Sequence, residues 1–455
     1  MRTVAKKNVD MTTGVIWKRL LTFMLPLLVG NLFQQFYSTV DSLVVGNYVG
    51  SDALAAVSST SVIINALIGL FMGFSTGAGV VISRYFGARE PEKMRQAIHT
   101  AVVFSAVLGI ALTAVGASLS SWMVQAMNTP ASVVEGAVQY LRIYFLGVIG
   151  LVMYNIGAAV LRAVGDSRRP LYFLITSSVL NIFLDLLFVL QFRMGVAGVG
   201  YATILSQAIS AVLVFVILFR SKEDYGLRAA ELKISGAMLG KIVQIGLPAG
   251  FQLSVIAFSN VFVQAYVNAF DAAAMAGWGI QRRLENFILL PVQSISLATT
   301  TFVGQNAGAG KPERIREGVG VSLKMSALVT TVIVAVLFLF APQVSRLFNQ
   351  EPDVVRFAVL FLRWSLPFMV INCGNQIHAG ALRGVGDARV PMFVMIGCFV
   401  VIRQIYLFVV TKFTDSVIPV ALAFPVGWVT CSLIMYLIFH SQRWERDLRM
   451  STGGE

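Results

Sequence analysis

Twelve apolar runs of 20 or more residues follow one another along this chain: about 20–45, 53–83, 96–120, 132–160, 170–191, 196–219, 240–268, 272–305, 317–341, 354–381, 391–411 and 416–440. About twenty apolar residues in a helix cross the roughly 30 Å hydrocarbon core of a bilayer. Lipid offers no hydrogen bonds, so a spanning segment must satisfy its own backbone, and an isolated run does that as a helix. Several runs exceed the minimum, which predicts tilt or extension past the bilayer. None shows the ten-residue alternation of an outer-membrane barrel. Only 13% of the residues are charged, against roughly 25% in soluble domains. The chain therefore reads as an all-α integral membrane protein.

The formal net charge is +13, and its placement matters more than its size. With both termini and the even-numbered loops taken as one side, that side holds 25 Lys and Arg, Arg2, Lys6, Lys7 and Arg449 among them. The odd-numbered loops hold three: Arg193, Arg346 and Lys412. This is a positive-inside pattern. It predicts cytoplasmic termini and an even number of spans. The basic charge thus reports topology, and secondarily an affinity for anionic membrane lipids; no nucleic-acid partner is expected. The first apolar run is too long for a signal-peptide core, so no cleavable signal is expected. Cys373, Cys398 and Cys431 all fall in apolar runs and read as small buried hydrophobes, without metal or disulfide spacing.

The chain repeats itself at an offset of 221 residues. Gly87-Ala88, Pro91-Glu92 and Arg95 match Gly308-Ala309, Pro312-Glu313 and Arg316. Leu141-Arg142 matches Leu362-Arg363, and Leu161-Arg162-x-Val164-Gly165-Asp166 with Pro170 matches Leu382-Arg383-x-Val385-Gly386-Asp387 with Pro391. One residue out of register, Pro26 and Phe36 match Pro248 and Phe258. Each repeat holds six spans, so both halves keep one orientation and are expected to be related by a pseudo-two-fold along the membrane normal. The expected division is an N-lobe at 1–220, a cytoplasmic linker at 221–240 and a C-lobe at 241–455. In the Leu-Arg-x-Val-Gly-Asp block, the glycine should end one helix and the aspartate cap the next.

Most of the 22 acids lie in loops or at span ends. Three sit well inside spans: Asp41, Asp185 and Glu285. A charged group there costs roughly 2.5–3.5 kcal/mol on insertion scales and persists where it lines a cavity or has partners. Asn181 and Asp185 are four apart and share a helix face, as do Gln34, Ser38 and Asp41 at helical spacing. Tyr37 precedes Asp41 by four residues, and Asn155 and Thr203 are further polar side chains in apolar surroundings. At the repeat offset Asp185 maps to Tyr406, and Asp41 falls near Val263. The halves thus share a scaffold and differ in ionisable chemistry. A carboxylate in a low-dielectric cavity can exchange a proton near physiological pH, and two of them with Asn and Thr oxygens can equally hold a dehydrated Na⁺. Structural hydrogen bonding between helices is the plain alternative. Glu285 follows Arg282 and Arg283 and reads either as a local ion pair or as cavity lining; Gln264, Asn375 and His378 are further candidates to face a cleft. There is no His-Glu-x-x-His, Walker sequence or nucleophile elbow, so neither an enzyme nor ATP-driven transport is expected.

The first span, Pro-Leu-Leu-Val-Gly-Asn at 26–31 and Val-Asp-Ser-Leu-Val-Val-Gly at 40–46, the Asn181-x-x-x-Asp185 pair, and Val-Gly-Gln-Asn-x-Gly-Ala-Gly-Lys at 303–311 resemble the multidrug and toxic compound extrusion (MATE) family, in its DinF-like branch. The resemblance covers essentially the whole chain. It implies a two-lobed antiporter that exports amphipathic, cationic organic compounds in exchange for H⁺ or Na⁺, with no cofactor besides the coupling ion; a monomer is expected. Carried over by residue, it implies ion coupling, with a possible Na⁺ site, at Asp41, Asn181, Asp185 and Thr203. Gln34, Tyr37, Tyr140 and Asn155 would line the same cavity. The NorM branch places an acid in the seventh span; this chain has none between Lys241 and Asn268, which leaves Gln264, or Glu285 in its place. The alternative within the superfold is a flippase for lipid-linked oligosaccharides, whose pyrophosphate would call on Arg142, Arg282, Arg283, Arg363 and Arg403.

Overall fold

The computed structural model describes residues 9–127, 129–414 and 416–452. Arg2, Lys6 and Lys7 of the positive-inside pattern lie outside the described residues, as does the side chain of Arg449. Each apolar run folds as one long helix: α1 (Ile16–Val49), α2 (Ser51–Ala88), α3 (Pro91–Ala126), α4 (Ala131–Ala163), α5 (Arg168–Gln191), α6 (Gly195–Arg220), α7 (Gly236–Val267), α8 (Ala272–Gly308), α9 (Pro312–Leu339), α10 (Pro352–Gly384), α11 (Arg389–Val410) and α12 (Ile418–Arg446). All twelve are long and apolar enough to cross a membrane. Among the described residues there is no strand. The chain is a twelve-helix membrane protein of two six-helix units.

Among the described residues, the first compact unit comprises residues 9–10 and 25–247; the second comprises Met11–Met24 and residues 248–452. The chain changes unit inside α1 and inside α7, next to Pro26 and Pro248. A proline within a helix removes one backbone hydrogen bond and permits a bend at that point.

In the first unit α4 is the central helix, packed by α2, α3 and α6, with α5 against α6. Lipid tails are as apolar as a helix face, so association in a bilayer depends on close packing, which small residues allow. A Cβ on Gly77 would stand 2.4 Å from the Ile242 carbonyl oxygen and 2.7 Å from the Gly246 amide nitrogen, so α2 and the start of α7 meet backbone to backbone. The 221–240 stretch folds back onto α3: the amide of Arg228 donates to His99 Nε2 (3.1 Å) and that of Ser235 to Thr100 Oγ1 (3.0 Å).

In the second unit α10 takes the central place, packed by α8, α9 and α12. The Gln-Asn of the 303–311 motif has a structural task here. Gln305 Oε1 accepts the Met11 amide (3.0 Å), while Asn306 Nδ2 and Arg314 Nε donate to the Met11 carbonyl (3.1 and 3.2 Å). The segment entering α1 is thereby fixed to the end of α8.

The repeated caps form as expected. Asp166 Oδ1 accepts the amides of Arg168 and Arg169, and Asp387 Oδ1 those of Arg389 and Val390, all at 3.1 Å. Gly165 (φ 89°) and Gly386 (φ 96°) end the preceding helices in the left-handed region that favours glycine. Cys373, Cys398 and Cys431 are buried and free.

Candidate functional site

Asp41 and Asp185 meet inside the first unit. Each sits just before a π-helical turn: Val45–Val49 after Asp41, and Leu187–Gln191 after Asp185. The amide of Gly50 donates to the Val45 carbonyl, and that of Phe192 to the Leu187 carbonyl, both at 3.1 Å and both spanning five residues. Such turns widen the helix locally and concentrate at functional sites. Sequence periodicity gave no sign of them.

The two carboxylates lie within electrostatic reach of each other. Asp185 is fully buried and Asn181, one turn before it, is 1% exposed, whereas Asp41 is half-buried. Beyond the contact of the two carboxyls with each other, Asp41 Oδ1, both carboxylate oxygens of Asp185 and both amide atoms of Asn181 have no hydrogen-bond partner. A buried polar group left so costs about 1–3 kcal/mol, and a charged one more. The carboxylate oxygens and Asn181 Oδ1 are hard oxygen ligands in an apolar helix bundle, a set that fits a proton or a hard cation.

Tyrosines wall the site. Tyr37 interacts with Gln34 by hydrogen bonding and with Asp41, Asp185 and Tyr154 electrostatically; Tyr140 senses Asp41, Asp185, Tyr37 and Tyr144. The rings of Tyr140 and Tyr144 are 6.3 Å apart. Tyr144, with its neighbour Gln207, and Tyr154, whose hydroxyl donates to the Pro170 carbonyl (3.2 Å), were missed from sequence; being in apolar helices, they carry no local signal. Thr203 and Asn155 belong to the same unit, but each binds its own helix: Thr203 Oγ1 donates to the Val199 carbonyl (3.0 Å) and Asn155 Nδ2 to the Leu151 carbonyl (2.8 Å).

The candidates of the second unit are spread out. Glu285 Oε2 pairs with Arg282 Nη1 at 2.8 Å and accepts from Gln281 Nε2 at 3.0 Å, the local ion pair its sequence neighbours suggested. Arg403 is 2% exposed; it donates to Ser259 Oγ (2.9 Å), and its guanidinium, like that of Arg282, lies over the Phe424 ring. Asn375 is fully buried with its amide engaged by Asn372, Trp428 and Ser432. His378 Nδ1 lies 2.7 Å from the Gly374 carbonyl, with Tyr436 and Phe439 against its ring. Gln264 Nε2 donates to Asn268 Oδ1 (2.8 Å).

The comparisons with known proteins agree with this architecture. The MatE family model matches residues 26–187 and again 248–409, one match per repeat. "Probable multidrug resistance protein YpnP" of Bacillus subtilis (strain 168) is 30% identical over 96% of this chain and 98% of its own length. "Probable multidrug resistance protein NorM" of Thermotoga maritima is 26% identical, covering 95% and 94%. A crystal structure of a MATE transporter in complex with MaL6 superposes with a TM-score of 0.92 at 23% identity, over 98% of this chain and 100% of that one. Two matches of one family model and relatives aligned end to end lead to one conclusion: this chain belongs to the MatE family, the multidrug and toxic compound extrusion transporters.

Proposed function

We propose that this transporter is a cation-coupled efflux antiporter of the bacterial inner membrane, with both termini cytoplasmic, that exports amphipathic, cationic organic compounds in exchange for H⁺ or Na⁺. One observation supports this above others. Asp41 and Asp185 meet inside a single apolar unit, and neither they nor Asn181, one turn before Asp185, find a further protein partner for the polar atoms they bury there. In this reading Asp41 and Asp185 bind the coupling ion and Asn181 completes the site, with Thr203 on the adjoining helix. Gln34, Tyr37, Tyr140 and Asn155 offer an aromatic, amphipathic wall to the substrate. In the second half Gln264, Glu285, Asn375 and His378 are the candidate contacts, Gln264 being the least buried of them.

Two facing carboxylates repel unless a cation sits between them. Ion entry therefore favours the closed arrangement of the pair, and a cationic drug competes for the same negative field. Opposed preferences of ion and drug for two transporter states are what coupling requires. The flippase alternative asks for a strongly basic cavity, and Glu285 neutralises Arg282.

The test is cationic-dye efflux in proteoliposomes, with proton and sodium gradients imposed separately. Wild type should transport under one gradient, and Asp41→Asn should lose that transport while expressing normally. Undiminished efflux in the variant would remove Asp41 from the mechanism.

A further inference from the structure

The second unit carries a groove at the junction of α9 and α10, about 680 Å³ in volume. Arg346, Arg356 and Arg363 line it together with Val359, Leu360 and Trp364. Arg356, Leu360 and Arg363 recur at helical spacing on one face of α10. Arg356 has only a loose, exposed pairing with Asp353 (3.5 Å). Among the described residues no acid pairs with Arg346 or Arg363.

For Arg363 depth makes this costly. α10 has 33 residues, about 50 Å of helix, so about 10 Å projects beyond a 30 Å hydrocarbon core at each end. Arg363 stands eleven residues into α10, about 16 Å along it and thus roughly 6 Å below the hydrocarbon boundary, which is within reach of an extended arginine side chain. An exposed arginine there needs an anion that lives at the headgroup level. The surroundings fit that level: Leu339, Phe340, Leu347 and Phe348 around the short helix Ala341–Phe348 are 70%, 51%, 84% and 43% exposed, and Trp364 is 44% exposed. Apolar side chains and tryptophan at a span end mark the membrane interface.

The repeat supplies an internal control. At the 221-residue offset Arg346, Arg356, Arg363 and Trp364 correspond to Gln125, Glu135, Arg142 and Ile143. Formal charge at the three polar positions is +3 in the second half and zero in the first. The shared scaffold does not need this cluster. Arg346 is also one of only three basic residues in the odd-numbered loops, against the positive-inside trend.

We propose that this groove binds the phosphate of an anionic phospholipid, with the acyl chains along Val359, Leu360 and Trp364. Under the orientation proposed above the lipid belongs to the outer leaflet; the site itself does not depend on the transport reading. Native mass spectrometry of the purified protein with added phosphatidylglycerol or phosphatidylcholine tests it. Wild type should retain phosphatidylglycerol in preference to phosphatidylcholine. An arginine near anionic headgroups is worth roughly fivefold in affinity, so R346A/R356A/R363A should bind phosphatidylglycerol on the order of a hundredfold more weakly. R346K/R356K/R363K should recover most of it, which separates charge from loss of fold. Equal retention by wild type and the alanine variant, equal retention of the two lipids, or displacement of the lipid by millimolar inorganic phosphate would each overturn the assignment. Dye efflux reports on the Asp41 site separately, so either reading can fail alone.

Discussion

Asn181 and Asn375 are both buried asparagines in membrane helices, and replacing each by leucine should move stability in opposite directions. Asn181 is 1% exposed and neither amide atom has a partner. At about 1–3 kcal/mol for each such atom, the folded protein carries roughly 2–6 kcal/mol of desolvation cost there. Asn181→Leu keeps the branching of the side chain, with methyls larger than the amide atoms they replace, and removes that cost, so a net gain of about 2 kcal/mol is expected after imperfect repacking. Asn375 is equally buried, but its Nδ2 donates to Asn372 Oδ1 (3.1 Å) and to the Trp428 carbonyl (3.3 Å), and its Oδ1 accepts from Ser432 Oγ (2.7 Å). Asn375→Leu takes the donor from Asn372 Oδ1 and the Trp428 carbonyl, while Ser432 Oγ keeps the Ile371 carbonyl (2.6 Å), and should cost about 2–4 kcal/mol. Extending the size dependence of thermal unfolding to this chain gives roughly 1–2 °C per kcal/mol. Tm should then rise by about 2–4 °C for Asn181→Leu and fall by at least about 2 °C for Asn375→Leu. Both are read by tryptophan fluorescence of the purified protein, alongside dye efflux, which Asn181→Leu should abolish. A lower Tm for Asn181→Leu would mean that its amide is satisfied in the native protein, and the argument for an ion site would lose its basis.

Asp166→Ala should destabilise more than Asp387→Ala, about 2 against about 1 kcal/mol, because Asp166 is nearly buried and also pairs with Arg169 (3.2 Å). The two effects should add in the double variant, since the caps lie in different units; Tm of the single and double variants checks both points. Gly77→Ala should cost about 2–3 kcal/mol, because its Cβ would strike the α7 backbone, which cannot swing aside. Gly279→Ala, with nothing within 4 Å of the added Cβ, should instead stabilise α8 by about 0.5–1 kcal/mol. The same Tm measurement compares the pair, and equal effects would contradict the α2–α7 contact.

The parts legible in the sequence are those set by local physics. A run of twenty apolar residues folds as a helix wherever it stands, so all twelve spans could be counted. Gly165-Asp166 and Gly386-Asp387 could be read as a helix end and a cap because both events involve neighbours in sequence. Glu285 could be paired with Arg282 for the same reason. The Gln305-Asn306 motif was recognisable as a family mark, but its partner, Met11, is nearly three hundred residues away, and no pattern in either stretch announces the contact.

For the candidate site, the residues themselves marked the positions to consider: an acid inside an apolar helix is conspicuous because its desolvation is costly anywhere in a bilayer. What the tertiary structure alone decided is which of them meet. Asp41 and Asp185 stand 144 residues apart, and their encounter depends on the rotation of α1 and α5 about their axes. The same rotations bring Tyr144 and Tyr154 alongside and leave Thr203 and Asn155 bonded to their own helices. Hydropathy is a sum over neighbours in the chain; helix rotation is fixed by packing against other helices, and a single sequence does not display it.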